Sequence, residues 1–83
     1  MDSHKPHPDF GLLQRVVDAT FRSKHYASRL DAIIAAEALD VNEELMEIVE
    51  LLPPGSYLRQ SMCDQLNSAL AGHGWGFKYG TVD

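Results

Sequence analysis

The chain has 83 residues, a single cysteine and a formal net charge of −5, with 45% hydrophobic and 23% charged residues. This length and composition predict one small folded domain, and they exclude a disordered chain or a second core. The lone cysteine excludes an intrachain disulfide, and the acidic balance disfavours nucleic acid as a general partner because phosphate binding rests on clustered cations.

The N-terminal segment, residues 1–8, is polar, with two prolines and two histidines, and we expect it to be flexible. His4 and His7 have no Cys or carboxylate cluster at ligand spacing, so we predict no metal site. This segment lacks the apolar core of a signal peptide, and the longest apolar runs fall far short of the roughly 18 residues that span a bilayer. We therefore expect a cytoplasmic protein.

The domain itself is predicted to cover residues 9–83 and to begin with two helices. The first runs from Asp9, as N-cap, to about Ser23, with an inward stripe of Leu13, Val16, Val17, Thr20 and Phe21. The second starts at Ser28, because a hydroxyl followed three residues later by Asp31 is typical of a capping box. Its predicted apolar face contains Leu30, Ile33, Ile34 and Ala38.

A third helix is predicted at about residues 42–52, after a start signal at Asp40, with Leu45, Ile48, Val49 and Leu52 facing inward. It lies in an acidic segment, because residues 31–50 contain seven Asp or Glu and no Lys or Arg, whereas residues 1–30 carry a basic excess. Early acids suit a helix N-terminus. Glu43, Glu44 and Glu47 therefore form either a solvated face or a surface that docks on a basic partner or a second copy.

Pro53-Pro54-Gly55 predicts a turn, and Ser56 is the predicted N-cap of a fourth helix that extends to about Ala71, with Gly72 as its C-cap. The inward stripe of this helix is predicted to contain Leu58, Met62, Leu66, Ala69 and Leu70, with Cys63 alongside. Four short helices with brief connections predict an all-α fold, a compact bundle.

The tail, residues 73–83, changes period. Trp75, Phe77 and Tyr79 alternate with glycines and Lys78, which predicts an extended segment or small hairpin with one aromatic face. These aromatic side chains either close the open side of the bundle or form part of a partner or dimer surface, where Trp and Tyr are enriched.

The sequence does not predict an enzyme or a bound cofactor. Cys63 lies on or near the buried stripe beside Asp64, and both burial and a carboxylate raise a thiol pKa, so Cys63 is a poor nucleophile. The segment around Gly55 lacks the glycines and lysine of a phosphate loop. His73 has no nucleophile or metal co-ligand near it in sequence.

A DNA-binding regulator is the alternative. The third helix, the proline turn, the fourth helix and a hairpin-like tail together match a helix-turn-helix with a wing. In this interpretation Arg59, Gln60 and Gln65 read bases and Lys78 lies on the wing. Asp64 and the acidic third helix argue against it.

A family resemblance covers residues 26–60. The order Tyr26-Ala27-Ser28-Arg29, an Ala-rich helix, an acid-led helix that ends at Leu52-Pro53, and then Tyr57, resembles a family of short uncharacterised actinobacterial domains. Those domains carry an aromatic-Pro-Ala-Ser-Lys start and a Leu-Pro-x-x-x-Tyr centre, and here Ala27 stands in place of the proline. The resemblance implies a bacterial helical domain of unknown function and supplies no site residues.

Taken together, these patterns predict a non-enzymatic protein-interaction module that binds another protein or a second copy of itself. The predicted contact residues are the acidic face and the tail aromatics: Glu43, Glu44, Glu47, Trp75, Phe77 and Tyr79.

Overall fold

Five helices and one two-stranded antiparallel ribbon make up the fold in residues 7–83, the part of the chain that the computed structural model describes. In chain order the elements are α1 (Leu12–Thr20), β1 (Tyr26–Ser28), α2 (Arg29–Ala38), α3 (Glu43–Glu50), β2 (Ser56–Leu58), α4 (Arg59–His73) and α5 (Gly76–Tyr79).

The predicted helical bundle is therefore confirmed in its main part. The all-α class is wrong because of the two strands, and the described helices number five rather than four. Most of the predicted flexible segment, including His4, lies in residues 1–6 and so outside the described residues.

The ribbon pairs two segments that are separated in sequence by α2 and α3. Ala27 lies opposite Tyr57, and Tyr26 lies opposite Leu58. Because successive side chains on a strand point to opposite faces, Ala27 is buried while Tyr26 and Leu58 are exposed on the outer face. Ser56, the predicted N-cap of α4, lies within β2, and α4 begins at Arg59 after Leu58.

Side-chain caps fix the starts of α2 and α3. The predicted capping box of α2 is confirmed: Ser28 Oγ accepts from the Asp31 N–H at 3.1 Å, and the Asp31 carboxylate accepts from the Ser28 N–H at 2.9 Å. Asn42, rather than Asp40, caps α3, because Asn42 Oδ1 accepts from the Leu45 N–H at 2.8 Å. Asp40 follows the end of α2 in the left-handed region, with φ 52°.

Glycines mark one end each of α1 and α4, where the backbone has positive φ. Gly11 (φ 85°) precedes α1 in place of the predicted Asp9, and its N–H donates to the Tyr79 carbonyl at 3.0 Å. The Asp9 carboxylate accepts from the Asn42 side chain at 2.6 Å. Gly74 (φ 70°) ends α4 two residues beyond the predicted Gly72, since a left-handed residue at a helix end favours glycine.

The core forms where the inward faces of α1, α3 and α4 meet. The predicted inward stripes of α1 and α3 are confirmed, apart from Phe21, which is half-buried. Leu58 was predicted to face inward but is exposed, because it belongs to the ribbon and not to α4. The core side chains of these three helices are Leu13, Val16, Val17, Leu45, Ile48, Val49, Met62, Cys63, Leu66 and Leu70.

Helix α2 turns a different face inward from the predicted one. Ala32 and Ala36 are buried against the neighbouring helices α1 and α3, whereas Leu30 is 62% exposed and Ile34 is 54% exposed. Small side chains on the inner face allow close packing between α2 and its neighbours. Of the predicted face, Ile33 is half-buried against the core, whereas Leu30, Ile34 and Ala38 face solvent.

The tail forms a single helical turn, α5, and then an extended end. The predicted aromatic strand is therefore wrong for Gly76–Tyr79. The Asn67 side-chain amide binds both backbone groups of Val82, accepting from the N–H at 2.8 Å and donating to the carbonyl at 2.9 Å. Gln14 does the same for Asp83, at 3.0 and 2.9 Å. Two side chains thus bind the backbone as a neighbouring strand would.

We predict that Asn67→Ala lowers the free energy of unfolding by about 1–3 kcal/mol, because two partly buried backbone groups of Val82 lose their partners. Urea denaturation followed by circular dichroism measures this change. Ser68→Ala, at the exposed neighbouring position of α4, is the control and should change stability by less than about 0.5 kcal/mol. Equal effects of the two substitutions would contradict the assigned role of Asn67.

Candidate functional site

The acidic face predicted on α3 meets the tail within the same chain. Glu44 Oε1 accepts from Lys78 Nζ at 2.6 Å and from the Tyr79 hydroxyl. Glu47 Oε2 lies 3.0 Å from His73 Nε2. Because Glu44 and Glu47 already have partners in the chain, Glu43 is the member of the predicted face without a side-chain hydrogen bond in residues 7–83.

The helical turn α5 separates Phe77 from the other two predicted tail aromatics, Trp75 and Tyr79. Trp75 is half-buried and lies against His73, with ring centroids 4.5 Å apart, and edge-on to Tyr79 at 6.1 Å. Tyr79 is buried in the core. Phe77 is 99% exposed, since two residues along a helical turn point to a different side from their neighbours. The prediction that these aromatics share one face is therefore wrong.

An apolar groove of about 570 Å³ adjoins Phe77 and is lined also by Phe10, Ala71, Gly74, Gly76, Gly80 and Thr81. The Phe10 ring lies directly over Gly80, so closely that a Cβ at that position would come within 3.2 Å of it. Gly80 also has φ 82°. The backbone conformation therefore favours glycine at this position, and any larger residue would also displace the exposed Phe10 ring slightly.

The contacts at Glu44 shift the ionisation of all three groups. Hydrogen bonds from Lys78 and Tyr79 hold the pKa of the Glu44 carboxyl below its usual value. The Glu44 carboxylate raises the pKa of the Lys78 ammonium. Burial, followed by the bond to Glu44, raises the pKa of the Tyr79 hydroxyl. The folded state therefore favours a charged Glu44–Lys78 pair beside a neutral tyrosine.

The reactive side chains of Cys63 and His7 pack against neighbouring residues of the chain. Cys63 is buried, and burial raises the pKa of its thiol. His7 Nδ1 accepts from the Asp9 N–H at 3.0 Å, and the His7 ring packs edge-on against Tyr79 with centroids 5.1 Å apart. In residues 7–83 no three His, Cys, Asp or Glu side chains lie together as a metal ion would require.

The residues of the DNA-binding alternative are largely occupied by neighbours. Arg59 binds the Asp18 carboxylate and the Asp83 backbone oxygen, and Gln60 donates to Asp64 at 2.9 Å. Lys78 is bound to Glu44. Of the four predicted DNA-binding residues, Gln65 is the one that is exposed without such a contact in residues 7–83. The predicted wing is wrong, because the tail contains a helical turn rather than a hairpin. DNA binding itself stays a prediction.

Three residues of the predicted apolar face of α2 form a surface that the sequence did not indicate as a site. Leu30, Ile34 and Ala38 recur every four residues along the exposed side of this helix, and we call them the α2 face. The sequence does contain a signal for this surface. Apolar residues occur on every side of α2, whereas a surface helix has one apolar stripe.

Comparisons with known proteins do not assign this arrangement to a family. No protein-family model, no curated protein and no solved structure matches the chain. The resemblance of residues 26–60 to short actinobacterial domains therefore stays a prediction. Within residues 7–83, every helix is too short or too polar to cross a bilayer.

We predict that the Glu44 cluster makes stability depend on pH at both extremes. Because the folded-state pKa of Glu44 lies below the usual 4.5, its stabilisation is complete above that pH and is lost as pH falls through the folded pKa. The raised pKa values of Tyr79 and Lys78 have the opposite sign. Their contribution is lost as pH rises above about 10.

Thermal unfolding from pH 2.5 to 11 tests this prediction. Glu44→Gln should flatten the acid limb of the stability curve relative to the unmodified chain, because the shifted carboxyl is gone. Glu43→Gln removes the same charge from the same helical turn and is the matched control. An acid limb that Glu43→Gln flattens as much as Glu44→Gln would exclude a specific role for the cluster.

Proposed function

We propose that this chain is a non-enzymatic protein-interaction module that self-associates through the α2 face. The observation that supports the proposal is that α2 is apolar on its inner and outer sides but is covered only on the inner side. A helix that is apolar all round is typical of one buried on both sides. A second molecule would supply the missing cover.

The order of side chains favours a second copy as that molecule. Two large side chains, Leu30 and Ile34, are followed along the α2 face by a small one, Ala38. If two copies pack α2 antiparallel about a two-fold axis, Ile34 meets its own counterpart at the centre. Leu30 of each copy then faces Ala38 of the other, so that a large side chain fills the space beside a small one.

Charges at the margin of the α2 face are compatible with such a contact. Asp31 lies at one margin and pairs with Lys24 Nζ at 3.4 Å, so its charge is offset within the chain. Glu37 lies at the other margin and is exposed. Three apolar side chains per copy form a small contact, so we expect a weak dimer, with a Kd on the order of 10–100 µM.

This proposal moves the contact away from the residues that the sequence indicated. Glu44 binds Tyr79 and Lys78, and Glu47 contacts His73, all within the chain. These predicted contact residues are therefore less accessible to a partner. Phe77 is the remaining competitor, since it is almost fully exposed beside an apolar groove. The proposal also places the module in the bacterial cytoplasm, which suits a free buried cysteine.

We predict that Ile34→Glu abolishes self-association, because it places two carboxylates against each other at the centre of the contact. Light scattering or sedimentation equilibrium between about 10 and 500 µM measures the solution mass. Phe77→Glu introduces the same charge at a fully exposed aromatic and is the matched control, which should remain dimeric. Circular dichroism confirms that both variants are folded.

Each outcome decides between the two surfaces. A dimer that survives Ile34→Glu but not Phe77→Glu would assign the contact to the tail and overturn the α2 proposal. An unmodified chain that is monomeric across the whole concentration range would overturn self-association altogether.

A further inference from the structure

A second concave surface lies at the opposite end of β1 from α2, and we call it the basic groove. It has a volume of about 440 Å³ and lies between the loop that follows α1 and the start of α4. Its lining residues are Phe21, Arg22, Ser23, Lys24, His25, Leu58 and Arg59.

The groove is positively charged although the chain is acidic overall. Three cationic side chains and one histidine line it, and none of the lining residues in this described region is an Asp or Glu. Arg22 is exposed and forms no ion pair within residues 7–83. Lys24 contacts the Asp31 carboxylate at 3.4 Å, and Arg59 contacts both the Asp18 carboxylate and the Asp83 backbone oxygen, all outside the lining. A net positive charge therefore remains.

The backbone at the start of α4 adds to the positive potential of the groove. Leu58 provides no side-chain cap for α4, a helix of 15 residues, so the first N–H groups of this helix lack a side-chain acceptor. The positive end of a helix dipole favours a nearby anion. Arg59, the first residue of α4, lines the groove at this end.

The walls are apolar as well as cationic. Phe21 is half-buried, and Leu58 is 48% exposed on the outer side of the ribbon. We infer that the basic groove binds a phosphate group carried on a flat organic body of about mononucleotide size. Arg22, Lys24 and His25 would bind the phosphate oxygens, and Phe21 and Leu58 would contact the base. This site does not include the α2 face, although Lys24 also lines a concavity of about 290 Å³ with Ile34 and Ala38.

Two-dimensional ¹H–¹⁵N NMR of the full chain at low salt tests the inference with three probes: AMP, adenosine and inorganic phosphate. We expect AMP to shift the amides of residues 21–25 and 58–60 saturably, with a Kd on the order of 0.1–1 mM. Inorganic phosphate should shift the same amides more weakly, and adenosine should not bind. If phosphate and AMP bound equally well, the site would be assigned to free phosphate, and the inference that it also contacts a flat organic body would be wrong.

Arg22→Gln should weaken AMP binding by at least about tenfold, because a charge-assisted hydrogen bond is lost. Arg15→Gln removes the same charge from an exposed position on α1 outside the groove and should leave binding unchanged. Equal losses in both variants, or no saturable shift with AMP up to 10 mM, a concentration roughly ten times the expected Kd, would overturn the site.

Two further measurements separate the basic groove from other functions. Leu30→Glu, on the α2 face but outside the concavity that Ile34 shares with Lys24, should retain AMP binding whether or not the chain self-associates, so a failed dimer does not count against the groove. Duplex DNA that binds with a steep salt dependence and shifts residues well beyond the groove would overturn the small-ligand inference in favour of nucleic-acid binding.

Discussion

The burial of Tyr79 is the constraint on which the rest of the structure depends. Its carbonyl accepts from Gly11 at the start of α1, its hydroxyl binds Glu44 on α3, and its ring meets Trp75 next to the end of α4. One residue near the end of the described chain, through its backbone and side chain, therefore connects three helices that are distant in sequence. Tyr79 belongs to the core, and Glu44 of α3 serves this contact before it can serve any partner.

The ribbon determines which surfaces are left available. Because its strands are antiparallel, α2 leaves one end of the ribbon, after Ser28, and α4 leaves the other, after Leu58. The α2 face then lies after β1 along the chain, and the basic groove lies before it. Both surfaces lie away from the Glu44 cluster. Lys24 borders both surfaces, since it lines the basic groove and also a concavity beside Ile34 and Ala38.

Sequence reasoning located the four long helices because their caps and periodic stripes are local signals. Ser28 with Asp31 and the stripe from Leu45 to Leu52 required no tertiary information. The strands could not be found in this way, since three residues around Ala27 acquire a partner only when Tyr57 returns beside them. The inner face of α2 was mistaken for the same reason: close packing selected Ala32 and Ala36 over larger neighbours. Alternating aromatics in the tail matched a strand, but contacts to α3 and α4 favoured one helical turn.

The hydrogen bonds from Asn67 and Gln14 to the backbone of residues 82 and 83 determine which substitutions these two positions can accept. At this end of the chain both amides bind backbone atoms of Val82 and Asp83 and no side chain, so these hydrogen bonds do not depend on which side chain position 83 carries. Position 82 must in addition supply an apolar group to the core. Proline at position 82 or 83 would break one of these hydrogen bonds, because it has no N–H to donate. Position 83 can therefore vary widely while the path of the chain stays the same, whereas position 82 cannot.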